Sequence, residues 1–287
     1  MNFSKFSIAR AGRVVDSFYY IFPIQYIEVG TRKPRVLYRW RAMTVEPIIP
    51  VFRSDMTVEL VRSSAHDSDV LFAARVSTQG EQTLEAAQDA DLDVTRSKGL
   101  INYLMRDRHG SPFEHNSMTF YVQAPIFVFR EFMRHRIASY NEESGRYREL
   151  KPVFYVVGPD RNLVQVGKAG AYEFLPGTVE QQELAVSEEK RMATEAYASY
   201  QRQLEAGIAR EVARTVLPLS IYSSMYVTLN ARSLMNFLSL RTKRAGTTFP
   251  SFPQREIEMC AEVMEAKFQE LMPLTYAAFN DNGRVAP

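Results

Sequence analysis

The ten residues from Ala124 to Met133, APIFVFREFM, are almost wholly apolar, and the next three are Arg134, His135 and Arg136. So dense an apolar run has to be buried, whereas the triplet after it needs water or anions. The chain must therefore carry a core element to the edge of the core and release it there. A positive cluster at the end of a core element is held rigidly, as a binding site requires. The stretch Arg134–Arg146, RHRIASYNEESGR, adds Arg146, Ser139, Asn141, Ser144, Gly145 and two carboxylates, Glu142 and Glu143. Guanidinium groups bind phosphate bidentately, and hydroxyls plus the flexible backbone at Gly145 can donate to the remaining oxygens. The stretch reads as an anion-binding loop; a solvated loop or helix face with the same mixed charges is the plainer alternative.

The rest of the chain narrows the class. At 287 residues and 46% hydrophobic content it holds one large core or two modest ones. The single cysteine, Cys260, excludes an intrachain disulfide and a Cys-rich metal site, and a reducing compartment, the cytoplasm, is the expectation. No apolar run reaches a membrane-spanning length; the nearest, SFYYIFPIQYIEV, is broken by Pro23 and Gln25, and no signal peptide is evident. The net charge is +2, yet residues 1–55 alone carry +5, leaving −3 for residues 56–287.

That asymmetry divides the chain into a basic, aromatic N-terminal arm (1–55) and a main domain (56–287). The arm contains Pro23, Pro34, Pro47 and Pro50 and short β-like runs, DSFYYIF and RVLYRW. Three readings stay open for it: a disordered arm, a strand-forming addition that helps assembly, or sequence upstream of a functional start at Met56. From Met56, TVELV reads as a strand and HDSDVLFAARVS as a helix capped by Asp67 or Ser68. TQGEQTLEAAQDADLD reads as a loop with a frayed helix. TRSKGLINYLMRDRHG is a helix through Leu100, Ile101, Leu104 and Met105, followed by a strand with Met118, Phe120 and Val122 on one face.

Beyond the central stretch, PVFYVV is a strand, 158–176 an irregular connection, and 177–207 a long helix with a broken apolar stripe of Leu184, Met192, Tyr197, Tyr200 and Leu204. IAREVARTVLPLS is a helix stopped by Pro218, with Arg210 and Arg214 on one face beside Glu211. MYVTLN is a strand, and Ser233–Leu240 an apolar helix whose polar members, Asn230, Arg232, Asn236 and Arg241, need partners: a heterocycle or neighbouring backbone. The last helix puts Ile257, Cys260, Met264, Phe268 and Leu271 on one face, making Cys260 an inert core thiol rather than a nucleophile. His109, His115 and His135 lack metal-ligand spacing, so no metal site is assigned, and Glu114 and His115 read as structural. No G-x-G-x-x-G or Walker loop is present.

Four stretches, RHGSPFEH, RHRIASYNEESGR, REVARTVLP and NARSLMNFLSLR, occur in the order and nearly the residues of the flavin-dependent thymidylate synthases, which the chain resembles over roughly residues 56–280. The second matches RHR-x-x-S-x-N-x-x-S-x-R throughout. The resemblance implies an α+β fold, an antiparallel sheet flanked by helices, assembled as a homotetramer with active sites shared between subunits. It implies conversion of dUMP to dTMP, with methylenetetrahydrofolate as carbon donor and FADH2, reduced by NADPH, as hydride donor, and without a cysteine nucleophile. FAD contacts would fall to His109, Ser111, Arg134, His135, Arg136, Asn230, Arg232 and Asn236. The nucleotide would be held by Glu131, Arg134, Glu142, Glu143, Ser144, Gly145, Arg146, Arg214 and Arg241.

These roles suit the residue types. Ser144, the Gly145 backbone, Arg146 and Arg214 can cradle a phosphate. Arg241 and Ser144 are the catalytic candidates: Arg241 to stabilise negative charge on the uracil as C5 attacks, Ser144 better suited to phosphate than to nucleophilic attack because no base is paired with it. One position departs from the family, Glu131, where a glutamine that holds the nucleotide is expected. A carboxylate there cannot donate, and it repels phosphate and uracil carbonyls. The competing reading from another class is a nucleic-acid-binding protein that uses the arm and the RHR cluster on phosphates.

Overall fold

The computed structural model describes residues 48–80, 94–168 and 171–287, together with the strand backbones of 20–27 and 36–43. The chain forms two units, Met1–Ile48 and Ile49–Pro287. In the first, strands β1 (Tyr20–Ile27) and β2 (Val36–Met43) pair antiparallel, Tyr20 opposite Met43 and Ile27 opposite Val36.

Alternation builds the centre of the second unit. Strand β5 (Met118–Pro125) buries Met118, Phe120, Val122 and Ala124 completely, while the residues between them stay half-buried. Four strands, β4 (Thr57–Ser63), β5, β10 (Tyr222–Leu229) and β6 (Ser139–Glu142), form an antiparallel sheet in the order β4-β5-β10-β6. Phe120 faces Val227 and Val122 faces Met225 across the central pair, so the inner face is continuous. The opposite face carries the Thr119–Thr228 hydroxyl pair at 2.9 Å and the Tyr121–Tyr226 edge contact at 5.9 Å. An apolar face and a wet face are what an antiparallel sheet allows.

Helices cover the apolar face: α1 (Asp67–Gln79), α2 (Val94–Arg106), α3 (Ile126–Phe132), α6 (Ala231–Arg241), α7 (Arg255–Leu271) and α8 (Pro273–Asp281) all contribute to one core. A smaller core gathers Leu150, Phe154, Tyr197, Tyr200, Ala213 and Ile221 around α4 (Val179–Glu205), α5 (Arg210–Ala213) and β7 (Val153–Tyr155). Strand β3 (Val51–Arg53) pairs parallel with β7. Cys260 is fully buried on α7, and burial pushes its thiol up to about 12. No helix among the described residues is long and apolar enough to cross a membrane.

Several expectations need correcting. The α1 cap is His66, whose backbone N–H donates to Asp69 at 2.7 Å; Asp67 instead accepts from Leu274 N, Thr275 N and the Thr275 hydroxyl, and so caps α8. Residues 158–176 are not irregular throughout: β8 (Val164–Lys168) and β9 (Ala171–Leu175) pair as an antiparallel ribbon. On α4, Tyr197, Tyr200 and Leu204 pack inward, but Leu184 (63% exposed) and Met192 (53%) do not. The helix before Pro218 is a short α5 continued by a 3-10 turn, Arg214–Val216. Residues 81–93, the greater part of the loop with a frayed helix, lie outside the described residues.

Candidate functional site

The apolar run behaves as its composition demands. Strand β5 ends at Pro125, α3 follows with Val128, Phe129 and Phe132 buried, and the chain turns out of the core at Met133. The turn is tied by Arg134 N–H to the Glu131 carbonyl (3.2 Å) and His135 N–H to the Phe132 carbonyl (2.9 Å). Tyr140 locks it, its hydroxyl 2.7 Å from the Phe132 carbonyl oxygen and 2.8 Å from that of His135. Burial pushes the Tyr140 hydroxyl up to about 12, which keeps it a donor. Arg134 and Arg136 emerge exposed. The central stretch is therefore only partly a loop: Ser139–Glu142 are β6, the edge strand, paired with β10 from Thr228 to Met225.

Three groups of site residues result. The first is a corner between α3 and the last turn of α6. Arg241 donates from Nε to His135 Nε2 at 3.0 Å and from Nη1 to a Glu131 carboxylate oxygen. His135 lies edge-on to Phe237 at 4.8 Å, and Phe237 stacks on Phe132 at 5.1 Å, so the corner rests on core aromatics. Burial, reinforced by the Arg241 charge, lowers the His135 pKa to about 4. A nitrogen that accepts from arginine carries no proton; His135 is neutral, with its hydrogen on Nδ1.

The second group follows β6. Glu143 continues the pairing through its N–H to the Ser224 carbonyl (2.8 Å), and its carboxylate accepts from the Ser224 hydroxyl (3.1 Å) and pairs with Arg148 (3.0 Å). The Ser144 hydroxyl oxygen accepts from Arg146 N–H at 3.3 Å. Gly145 is buried where a Cβ would lie 3.1 Å from Leu150 and 3.3 Å from the Arg214 stem, so glycine lets Arg214 close on the loop. Arg146 pairs at 2.9 Å with Glu211, which the sequence had set beside Arg210 and Arg214. Burial raises the pKa of Glu142, offset in part by Ser223 and Arg214. The structure thus brings Glu142, Ser144, Gly145, Arg146 and Arg214 together.

The third group sits at the other end of α6. Arg232 donates to a Glu114 carboxylate oxygen and to the Pro287 carbonyl. Gly110 lies so close that a Cβ would fall 2.6 Å from the Arg232 guanidinium. His109 stacks on Tyr103 at 5.6 Å, and Ser111 is the exposed first residue of a 3-10 turn, Ser111–Glu114, whose Pro112 and Phe113 are buried. Asn230 is the helix cap: its side-chain oxygen accepts from Ser233 N–H at 2.9 Å, while Asn116 accepts from Ala231 N–H at 2.8 Å. Backbone is therefore the partner of the Asn230 oxygen, and Asn236 points to solvent. Arg232 and Arg241 stand about 13 Å apart along the helix. Sequence reasoning assigns no role to Asn116 or Tyr140: Asn116 acts on Ala231, 115 residues away, and Tyr140 sits inside the motif but acts through a turn that only the fold reveals. Glu211, placed there beside Arg210 and Arg214, pairs with the more distant Arg146.

His109, Ser111, Arg134, Arg136 and Asn236 are all exposed and present donors to solvent. Such a set fits the phosphates and ring edges of a dinucleotide.

A model of the family described as "Thymidylate synthase complementing protein" matches residues 59–274. Flavin-dependent thymidylate synthase of Streptomyces avermitilis is 67% identical over 239 residues, covering 83% of this chain and 96% of that protein. The enzyme of the same name from Tropheryma whipplei is 61% identical over 238 residues, covering 83% and 98%. Among solved structures, the UMP/dUMP methylase PolB from Streptomyces cacaoi, bound with 5-Br dUMP, superimposes with a TM-score of 0.77 at 54% identity, over 83% of this chain and all of that one.

Proposed function

The chain belongs to the flavin-dependent thymidylate synthases, and from that premise we propose that the three groups of residues are its dUMP and flavin sites. The reaction is methylation of dUMP, and the enzyme depends on a flavin. The observation that carries the assignment of sites is Arg241, a cation anchored on a neutral histidine at the end of a helix packed on the core, with donors still unused. In that position it stabilises charge developing on the uracil carbonyl as C5 attacks. The phosphate is taken by Ser144, the Gly145 N–H, Arg146 and Arg214, with Glu142 and Glu143 holding the loop beside it. Ser144 acts there as a phosphate ligand.

FAD is held by His109, Ser111, Arg134, Arg136 and Asn236, with His135, Asn230 and Arg232 supporting from beneath. When bound and reduced by NADPH it supplies the hydride, and methylenetetrahydrofolate supplies the carbon. No enzyme thiolate takes part: Cys260 is in the core and its pKa of about 12 keeps it protonated. Exposed apolar side chains around the cations, Ile137 (74%), Tyr147 (80%) and Leu240 (54%), support coverage by further copies of the chain, in a homotetramer with shared sites. The division into an arm of residues 1–55 and a main domain of 56–287, and a cytoplasmic location, belong to the same proposal.

The test is an absorbance spectrum of the purified protein before and after anaerobic NADPH, with dUMP present, followed by product analysis with methylenetetrahydrofolate. Flavin bands that bleach, then dTMP, are expected. A protein that stays colourless after incubation with FAD would overturn the proposal.

A further inference from the structure

Glu131 stands where a ligand of the nucleotide is expected, yet its chemistry is wrong for that task. A carboxylate donates no hydrogen bond to a uracil carbonyl, and its charge opposes the phosphate. The geometry gives it another occupation. Its carboxylate faces the Arg241 guanidinium, whose Nε is held at 3.0 Å by His135. The two partners come from one short segment: Glu131 in the last turn of α3, His135 in the turn behind it. That turn is itself fixed by the Tyr140 hydroxyl. Both members of the ion pair are largely shielded, with 18% of the Arg241 side chain and 27% of the Glu131 side chain exposed.

A guanidinium gripped at two points cannot swing, and its remaining N–H groups keep one direction. We infer that Glu131 is a positioning residue that acts on the nucleotide only through Arg241, holding the guanidinium against His135 so that its free donors are preset toward the base. This rests on the proposed role of Arg241 at the uracil. Removal of the grip leaves the cation present but unaimed, and small errors of aim are costly in a site of this kind.

The test is calorimetric titration of dUMP into the full-length, flavin-loaded protein for wild type, Glu131→Gln, Glu131→Ala, Arg241→Ala and the double variant Glu131→Ala/Arg241→Ala. Glutamine keeps an oxygen for Arg241, so Glu131→Gln should bind dUMP within about threefold of wild type, whereas Glu131→Ala should bind about tenfold more weakly. In the Arg241→Ala background the same Glu131→Ala change should have no further effect. An undiminished effect in that background means that Glu131 touches the nucleotide itself, and overturns the inference. So does a Glu131→Gln variant that binds tenfold tighter, since charge and not aim would then be its contribution. Wild-type affinity in Arg241→Ala would instead overturn the role of Arg241, and that of Glu131 with it.

Discussion

A histidine that accepts a hydrogen bond from an arginine cannot carry a proton on the same nitrogen, and His135 accepts from Arg241. Its pKa in the folded chain is lowered to about 4 by burial and by that arginine, from an ordinary 6.5. Between these values the unfolded chain takes up a proton that the folded chain refuses, so this residue's contribution to stability is lost as pH falls from about 6.5 to about 4. The variant His135→Gln removes the titration. Its melting temperature should lie below that of wild type at pH 7, with the gap narrowing toward pH 4; a constant gap in paired melts would contradict the assignment. Single residues also show the limits of reading a chain without its fold. Asp67 has the chemistry of a helix cap and is one, but for α8, whose amides lie about two hundred residues away.

Helix α6 was legible because its apolar residues recur at helical spacing, and its last residue, Arg241, carries the proposed chemistry. What the sequence left open was the use of Asn230. Its side-chain oxygen caps Ser233, so Asn230→Ala should destabilise the protein by about 1 kcal/mol in urea unfolding, with or without flavin. An unchanged midpoint without flavin would return Asn230 to the ligand role alone. The β8–β9 ribbon was missed because its strands are short and largely exposed, leaving a weak alternation among polar residues. Strand β6 was missed for a different reason: its partner, β10, lies far along the chain, and only that pairing distinguishes it from a loop. The RHR turn was legible in advance, since apolar density changed abruptly there.

For the second unit as a whole, the buried Arg284 ties the segment after α8 to the helix that ends in Arg241. It donates to Glu265 at 2.7 Å and to Thr242 at 2.9 Å, and Arg244 holds the other Glu265 oxygen at 2.7 Å. Next to it, Gly283 has φ +71 and leaves no room for a Cβ against the Thr248 hydroxyl. Replacing Arg284 by Met should cost about 3 kcal/mol in denaturant unfolding, since a buried carboxylate loses one of its two cations. A loss under about 0.5 kcal/mol would mean that this lattice adds nothing beyond packing. The order of the four-stranded sheet has a consequence in time. Strand β5 pairs with β4 before it and with β10 roughly a hundred residues after it, so the sheet cannot begin as a hairpin and must close long loops. On the ribosome, Phe120 and Val122 would wait about 5 to 20 seconds for Val227 and Met225 to be made. Throughout that interval a strand with a fully apolar inner face has a bare edge, and the nascent chain is most exposed to misassociation before its proposed site exists.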